Sequence, residues 1–200
     1  MDAAFGICGR DWMIVVTDTN VNRSIFTLTD ADDKIMQLGD HTVMAATGEH
    51  TDRYMYTNLM LRNLKLNQFR TGHVQGLDAT AQFLRSQMAE SLRSRSPFQV
   101  NILMGGYDAL SQQCKLYWMD YLGTLQQVTK GAHGYAAYFV NSVLDQHYRQ
   151  DMTLDEGKAA CRSCIKELKT RFIINQPHYQ MKIVTADGTV VETVETADIQ

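Results

Sequence analysis

Apolar positions open the chain as two short runs, AAFGIC at 3–8 and WMIVV at 12–16, separated by Gly9-Arg10-Asp11. The pattern predicts two strands over 3–8 and 12–17 joined by a tight turn. The second run is apolar at every position, as in a strand covered on both faces. IMQL and TVMAA flank Gly39-Asp40 and predict a second hairpin over about 34–38 and 42–46, because Gly permits positive φ and Asp bonds its own backbone. After position 50 the period lengthens. Met55/Leu59, Met60/Leu64 and the stripe Ala81, Leu84, Met88, Leu92 predict two amphipathic helices between His50 and Arg95, stopped by Ser96-Pro97.

Alternation of Phe98, Val100, Ile102 and Met104 predicts a strand ended by Gly105-Gly106, and CKLYWMD reads as a further extended stretch. Ala136, Val140, Val143, Leu144 and His147 fall at helical spacing. Thr153-Leu154-Asp155-Glu156 has the form of a capping box opening another helix. QMKIV, Asp187-Gly188 and TVVETV predict a closing hairpin. Strands, a helix pair, strands, a helix pair and strands argue antiparallel sheets with helices segregated onto faces. The expected class is α+β, a four-layer αββα sandwich spanning 1–200 as one domain.

Composition narrows the partners. At 200 residues and 44% hydrophobic content the chain can bury a full core. A net charge of −3 provides no long-range attraction to nucleic acid or anionic lipid, and neither nucleic acid nor a membrane is expected as a partner. No apolar run reaches the length of a membrane span, and the first residues lack the features of a secretory leader. A soluble intracellular chain is the expectation.

Cys8, Cys114, Cys161 and Cys164 are too sparse for a disulfide framework, and Cys161-Arg162-Ser163-Cys164 lacks the second cysteine pair a zinc site needs. They read as packing residues, Cys161 and Cys164 on a stripe with Leu154, Gly157, Ile165 and Leu168. His41, His50, His73, His133, His147 and His178 show no paired ligand spacing. No metal or cofactor is expected. The methionines, including Met55, Met60 and Met88, read as core filler. Arg62, Lys65 and Arg70 form a basic edge, read as a solvated face with a subunit contact as the alternative. Phosphate-loop, dinucleotide and nucleophile-elbow motifs are absent from the sequence. The remaining charged candidates, Asp18 and Lys34, read as a structural ion pair.

The ordered set TD at Thr17-Asp18, DDKI around Lys34, ATGE ending at Glu49, LRSRSPFQVNILMGGYD, YWMDYLG, GAHGYAAYFVNSVLDQHY and RFIINQP resembles the proteasome beta-subunit family along the whole chain. It is most similar to the non-catalytic member at the fourth position of the eukaryotic ring. The resemblance implies the N-terminal-nucleophile hydrolase fold. Active members of that family use an N-terminal threonine whose amine assists as base, supported by a lysine and an aspartate.

Asp18 and Lys34 match that support. The threonine position falls near Asp2, which carries no hydroxyl. The serine position falls on Ala132, and a second aspartate and serine fall on Phe172 and Asn175. The only Gly-Thr pairs, Gly123-Thr124 and Gly188-Thr189, lie beyond Asp18 and Lys34, so cleavage there would remove both.

The resemblance therefore implies a subunit without a catalytic residue of its own, in which Asp18 and Lys34 are structural. Its implied partners are other beta subunits in the ring, alpha-ring subunits and the opposite beta ring. Its implied work is intracellular protein degradation, ubiquitin-dependent and otherwise, in cytoplasm and nucleus. Asn22 to Leu28, with Ile25 and Phe26, is expected to meet a neighbouring subunit and shape its pocket, and the tail after Val191 is a second interface candidate. The rival reading is an active amidohydrolase using Cys8 or Thr17. A third is a free-standing binding module.

Overall fold

The computed structural model describes residues 2–23 and 26–199. Six strands precede the first helix: β1 (Ala3–Cys8), β2 (Trp12–Asp18), β3 (Val21–Arg23), β4 (Phe26–Thr29), β5 (Ile35–Gly39) and β6 (Thr42–Gly48). Helices α1 (His50–Thr71) and α2 (Leu77–Leu92) follow, then β7 (Val100–Asp108), β8 (Gln113–Met119), β9 (Leu125–Val128) and β10 (Lys130–Gly134). The chain continues with α3 (Ala137–His147), α4 (Leu154–Arg171), β11 (His178–Thr185) and β12 (Gly188–Glu195), and closes on a short helical turn over Thr196–Asp198.

One antiparallel sheet runs β10-β1-β2-β11-β12 and the other β5-β6-β7-β8-β9, with β3-β4 as a separate hairpin. The layers follow from side-chain alternation. In β2, Trp12, Ile14 and Val16 pack with Cys161, Cys164, Ile165 and Leu168 of α4. Met13 and Val15 point the opposite way, onto Val43, Ala45, Leu103 and Leu116 of the other sheet. That sheet's outer side meets Tyr56 and Met60 of α1 and Leu84 and Met88 of α2. Helices outside two packed sheets give the αββα sandwich, and the uninterrupted apolar run of β2 is the signature of its two covered faces.

Local chemistry sets several ends. The Thr153 hydroxyl accepts from the Glu156 amide while the Glu156 carboxylate accepts from the Thr153 amide at 2.9 Å, which completes the capping box. Gly72 closes α1 in the left-handed region at φ 72°.

Four readings of the sequence need correction. Strand β7 continues through Gly105-Gly106 to Asp108. These glycines permit close backbone approach: a Cβ at Gly106 would stand 2.0 Å from the His41 carbonyl oxygen. Helix α2 ends at Leu92, before Ser96-Pro97, and Phe98 lies outside the strand that its alternation suggested. Met55 and Leu59 are exposed, Met55 by 56%, so only Met60 and Leu64 of the two pairs face inward. The hairpin β3-β4 and the short edge strands β9 and β10 carry too few residues for a period to show.

Ile25 lies outside the described residues. Phe26 is 68% exposed on β4. The tail after Val191 is partly tied down: Val194 is buried, Ile199 packs against the α3-α4 core, and the Lys169 ammonium donates to its carbonyl at 2.9 Å.

Candidate functional site

The register Ala4↔Thr17 sets Asp18, at the end of β2, beside the head of β1. The Ala3 amide donates to Asp18 Oδ1 at 2.7 Å, and the Asn20 amide donates to Oδ2 at 3.1 Å. Lys34 enters from the other sheet, immediately before β5, anchored by its carbonyl accepting from the Ala46 amide at 3.2 Å. Its ammonium lies 3.0 and 2.9 Å from the two Asp18 oxygens and 2.7 Å from Asp2 Oδ1. The second Asp2 oxygen accepts from the Gly48 amide at 3.1 Å.

Asp18 and Lys34 have fully buried side chains, while Asp2 remains slightly open to solvent. One ammonium therefore serves two carboxylates in a low-dielectric crevice. Burial raises the Asp18 carboxyl above the usual range, an effect Lys34 opposes and the Asp2 charge reinforces. Burial also works to raise Asp2, but the Lys34 charge and hydrogen bond together with the Gly48 amide hold it below the usual range. Of the two, Asp2 is the more firmly ionised.

The sequence pattern pairs Asp18 with Lys34, and the structure adds Asp2 and the Gly48 amide to the same cluster. Gly48 has φ 138°, and a Cβ there would stand 2.1 Å from the Gln99 carbonyl oxygen, so the turn that aims this amide requires glycine. The glycine of ATGE was the available signal. Its partner could be identified only when the two sheets were brought together.

The other family-matched positions are more distant in role. Ala132 is buried, and its carbonyl accepts from Trp118 Nε1 at 3.2 Å. Phe172 stacks edge-on against Phe139 at 5.9 Å. The Asn175 carbonyl accepts from Asn20 Nδ2 at 3.0 Å, which ties the segment after α4 to the loop beyond Asp18.

Cys8 stands at the far end of β1 from Asp2, about 20 Å along the strand. Its thiol is buried, donates to the Gly9 carbonyl, and is pushed far above the ordinary range by burial and then by Cys114. Thr17 has no solvent exposure. Cys161 and Cys164 are buried against β1 and β2. Among the described residues, no group of three or more His, Cys, Asp or Glu side chains is arranged to hold a metal ion, and no helix is long and apolar enough to cross a membrane.

Two helix-covered antiparallel sheets, with a buried lysine between them at the head of the first strand, define a protein of the N-terminal-nucleophile hydrolase fold. Within that class the chain belongs to the proteasome subunit family, whose model, described as "Proteasome subunit", matches residues 2–184. It is 42% identical over 188 residues to proteasome subunit beta type-2-B of Arabidopsis thaliana, covering 94% of each chain. It is 39% identical over 188 residues to proteasome subunit beta type-4 of Saccharomyces cerevisiae, covering 94% of this chain and 95% of that one. Proteasome subunit beta type-2 of Dictyostelium discoideum is 36% identical over 181 residues, covering 90% of both.

Proposed function

We propose that this chain is a non-catalytic structural subunit of the proteasome core. The observation that carries the reading is the Asp2 carboxylate, which occupies the space beside the Lys34 ammonium and the Gly48 amide. Covalent cleavage of a peptide by this family's route needs a hydroxyl, whose attack expels the amine and leaves an ester that water then hydrolyses. A carboxylate would form an anhydride, which lies uphill of the peptide. Asp2 is also held ionised by Lys34, so it has no proton to donate to a leaving amine. Asp18 and Lys34 then serve to hold two sheets together at this end.

In this reading the chain occupies one position in each of two seven-membered beta rings. It touches two neighbours in its ring, alpha-ring subunits on one side and the opposite beta ring on the other. It supports ubiquitin-dependent and other protein degradation in cytoplasm and nucleus, through the catalytic subunits it helps to place. The beta type-2 and type-4 names of its relatives support the assignment. Phe26 and Leu28, both exposed on the β3-β4 hairpin, are its candidate contact with a neighbouring beta subunit.

The test is native mass spectrometry of particles purified through this chain, after treatment with a probe that acylates N-terminal threonine nucleophiles. The expected result is a particle of about 28 subunits in which other beta subunits are labelled and this one is not. Labelling of this chain, or its recovery as a free monomer, would overturn the reading.

A further inference from the structure

Of the two prolines in the chain, Pro177 follows Gln176 and Pro97 follows Ser96, so Ser96-Pro97 is the one Ser-Pro or Thr-Pro step in the sequence. Helix α2 has already closed at Leu92, and stopping it does not account for the pair. Arg93 to Pro97 are all exposed and lie outside every helix and strand. Few bonds hold them. The Arg93 and Ser94 amides donate to the Glu90 and Ser91 carbonyls at 3.2 and 2.9 Å, and the Ser96 amide donates to Ser94 Oγ at 3.2 Å. The chain is anchored again at Phe98, whose amide donates to Ser91 Oγ at 3.0 Å and whose ring meets Tyr56 edge-on at 5.5 Å. An exposed segment with so few internal bonds between two fixed ends opens locally at low cost.

The hydroxyls of the other described serines are engaged. Ser86, Ser142 and Ser163 donate to helix carbonyls at 2.9, 3.1 and 3.1 Å, and Ser111 donates to Asp108 at 2.7 Å. Ser91 and Ser94 accept from the Phe98 and Ser96 amides. Among the described residues only the Ser96 hydroxyl lacks such a partner. Phosphoryl transfer requires a hydroxyl free to line up with the γ-phosphate of ATP. Pro97 disfavours helical backbone at Ser96 and leaves no amide N–H after it. A kinase cleft without an acceptor at that point takes proline and penalises any residue that would bury an unpaired N–H.

Charge supplies the rest. Arg93, the C-cap residue of α2, and Arg95 precede Ser96, and among the described residues neither has an ion-pair partner. Two guanidinium groups beside the hydroxyl steer it toward an acidic cleft. Afterwards they face the product, and guanidinium binds phosphate bidentately.

We propose that Ser96 is the acceptor of a phosphoryl group from MgATP, delivered by a proline-directed protein kinase, and that Arg93 and Arg95 clamp the resulting phosphate. In the transfer, Ser96 Oγ bonds the γ-phosphorus while the bond from that phosphorus to the bridging oxygen breaks, ADP leaves, and the hydroxyl proton passes to the kinase's carboxylate base. The phosphate brings a charge of about −1.5 to −2, which offsets both arginines and ties the loop back to the end of α2. A surface that attracts acidic groups thereby becomes one that does not. The inference does not depend on whether the chain has a nucleophile of its own.

The test begins with the full chain, and the particles purified through it, from cells lysed in phosphatase inhibitors. Peptide mass spectrometry is expected to find phosphate on Ser96 in at least one of the two, and its absence from both overturns the site. The purified full chain is then treated with MgATP and a cyclin-dependent kinase as the proline-directed probe. A single phosphate at Ser96 is expected, abolished in Ser96→Ala and slowed roughly tenfold or more in Pro97→Ala. Both positions are exposed, so melting temperatures should match the wild type. Phosphate on Ser94 instead, or labelling indifferent to Pro97→Ala, overturns the assignment to a proline-directed kinase. The clamp is read by phosphorus NMR of the modified chain. An unrestrained phosphoserine titrates at about pH 6; here the titration should lie lower and return to that value in Arg93→Gln/Arg95→Gln. The same titration in both proteins overturns the clamp.

Discussion

Lys34 holds two carboxylates with one charge, and the two are not equivalent. Asp18 has no solvent to fall back on, whereas Asp2 does. Lys34→Ala would leave Asp18 buried without its counter-ion, and a destabilisation of about 3–5 kcal/mol is expected in urea unfolding. Proteolysis per correctly assembled particle should remain near wild type. A loss confined to fully assembled particles would show that Lys34 takes part in catalysis.

His133 is a second residue with a measurable signature. It is buried, stacks on Trp118 at 4.6 Å and bonds the Ile102 carbonyl through Nε2 at 3.0 Å. Burial lowers its pKa to about 4, an effect its hydrogen bonds only partly offset. The unfolded chain binds this proton near pH 6.5 and the folded chain does not, so stability is full above about 6.5 and falls as pH drops toward about 4. The loss attributable to this group is about 3 kcal/mol. His133→Gln should remove that component, which the difference between the two stability-pH curves would reveal.

At the scale of elements, α4 shows how cap and packing divide the work. Its start depends on the Thr153-Glu156 box, and Thr153→Ala should cost about 1 kcal/mol in thermal or denaturant unfolding. Its docking depends on Gly157. A Cβ there would stand 2.3 Å from Trp12 Cη2, and the indole is pinned by its Nε1 donating to the Met152 carbonyl at 3.1 Å. Gly157→Ala gains about 1 kcal/mol in helix propensity against roughly 1–3 kcal/mol for overpacking. With Trp12 unable to swing aside, overpacking should dominate and the variant should be less stable than wild type.

The whole molecule depends on the layer between its sheets. Met13 and Val15 of one sheet pack with Val43, Ala45, Leu103 and Leu116 of the other, in a cluster that among the described residues includes no helical side chain. Leu116→Ala should therefore cost about 2–5 kcal/mol while leaving a single unfolding transition, because each helix-covered core keeps the inner face of its sheet out of water only through this shared layer. Two transitions in a calorimetric scan would show that the helix-covered halves fold independently.

The sequence by itself determined the elements whose side chains repeat long enough to display a period: both opening hairpins, four helices, the α4 cap and the closing hairpin. It also marked Asp18 and Lys34, which match the family pattern, and placed Asp2 where that pattern has a threonine. It left open which side of α1 faces the core, because Met55/Leu59 and Met60/Leu64 have the same spacing and only the sheet beneath selects one pair. It misread Gly105-Gly106, since glycine has the same local preference in a turn as in a strand pressed against a neighbour. Only the tertiary structure decided that Asp2 and Gly48 meet Lys34, because strands from two different sheets bring them together and no spacing along the chain records that distance.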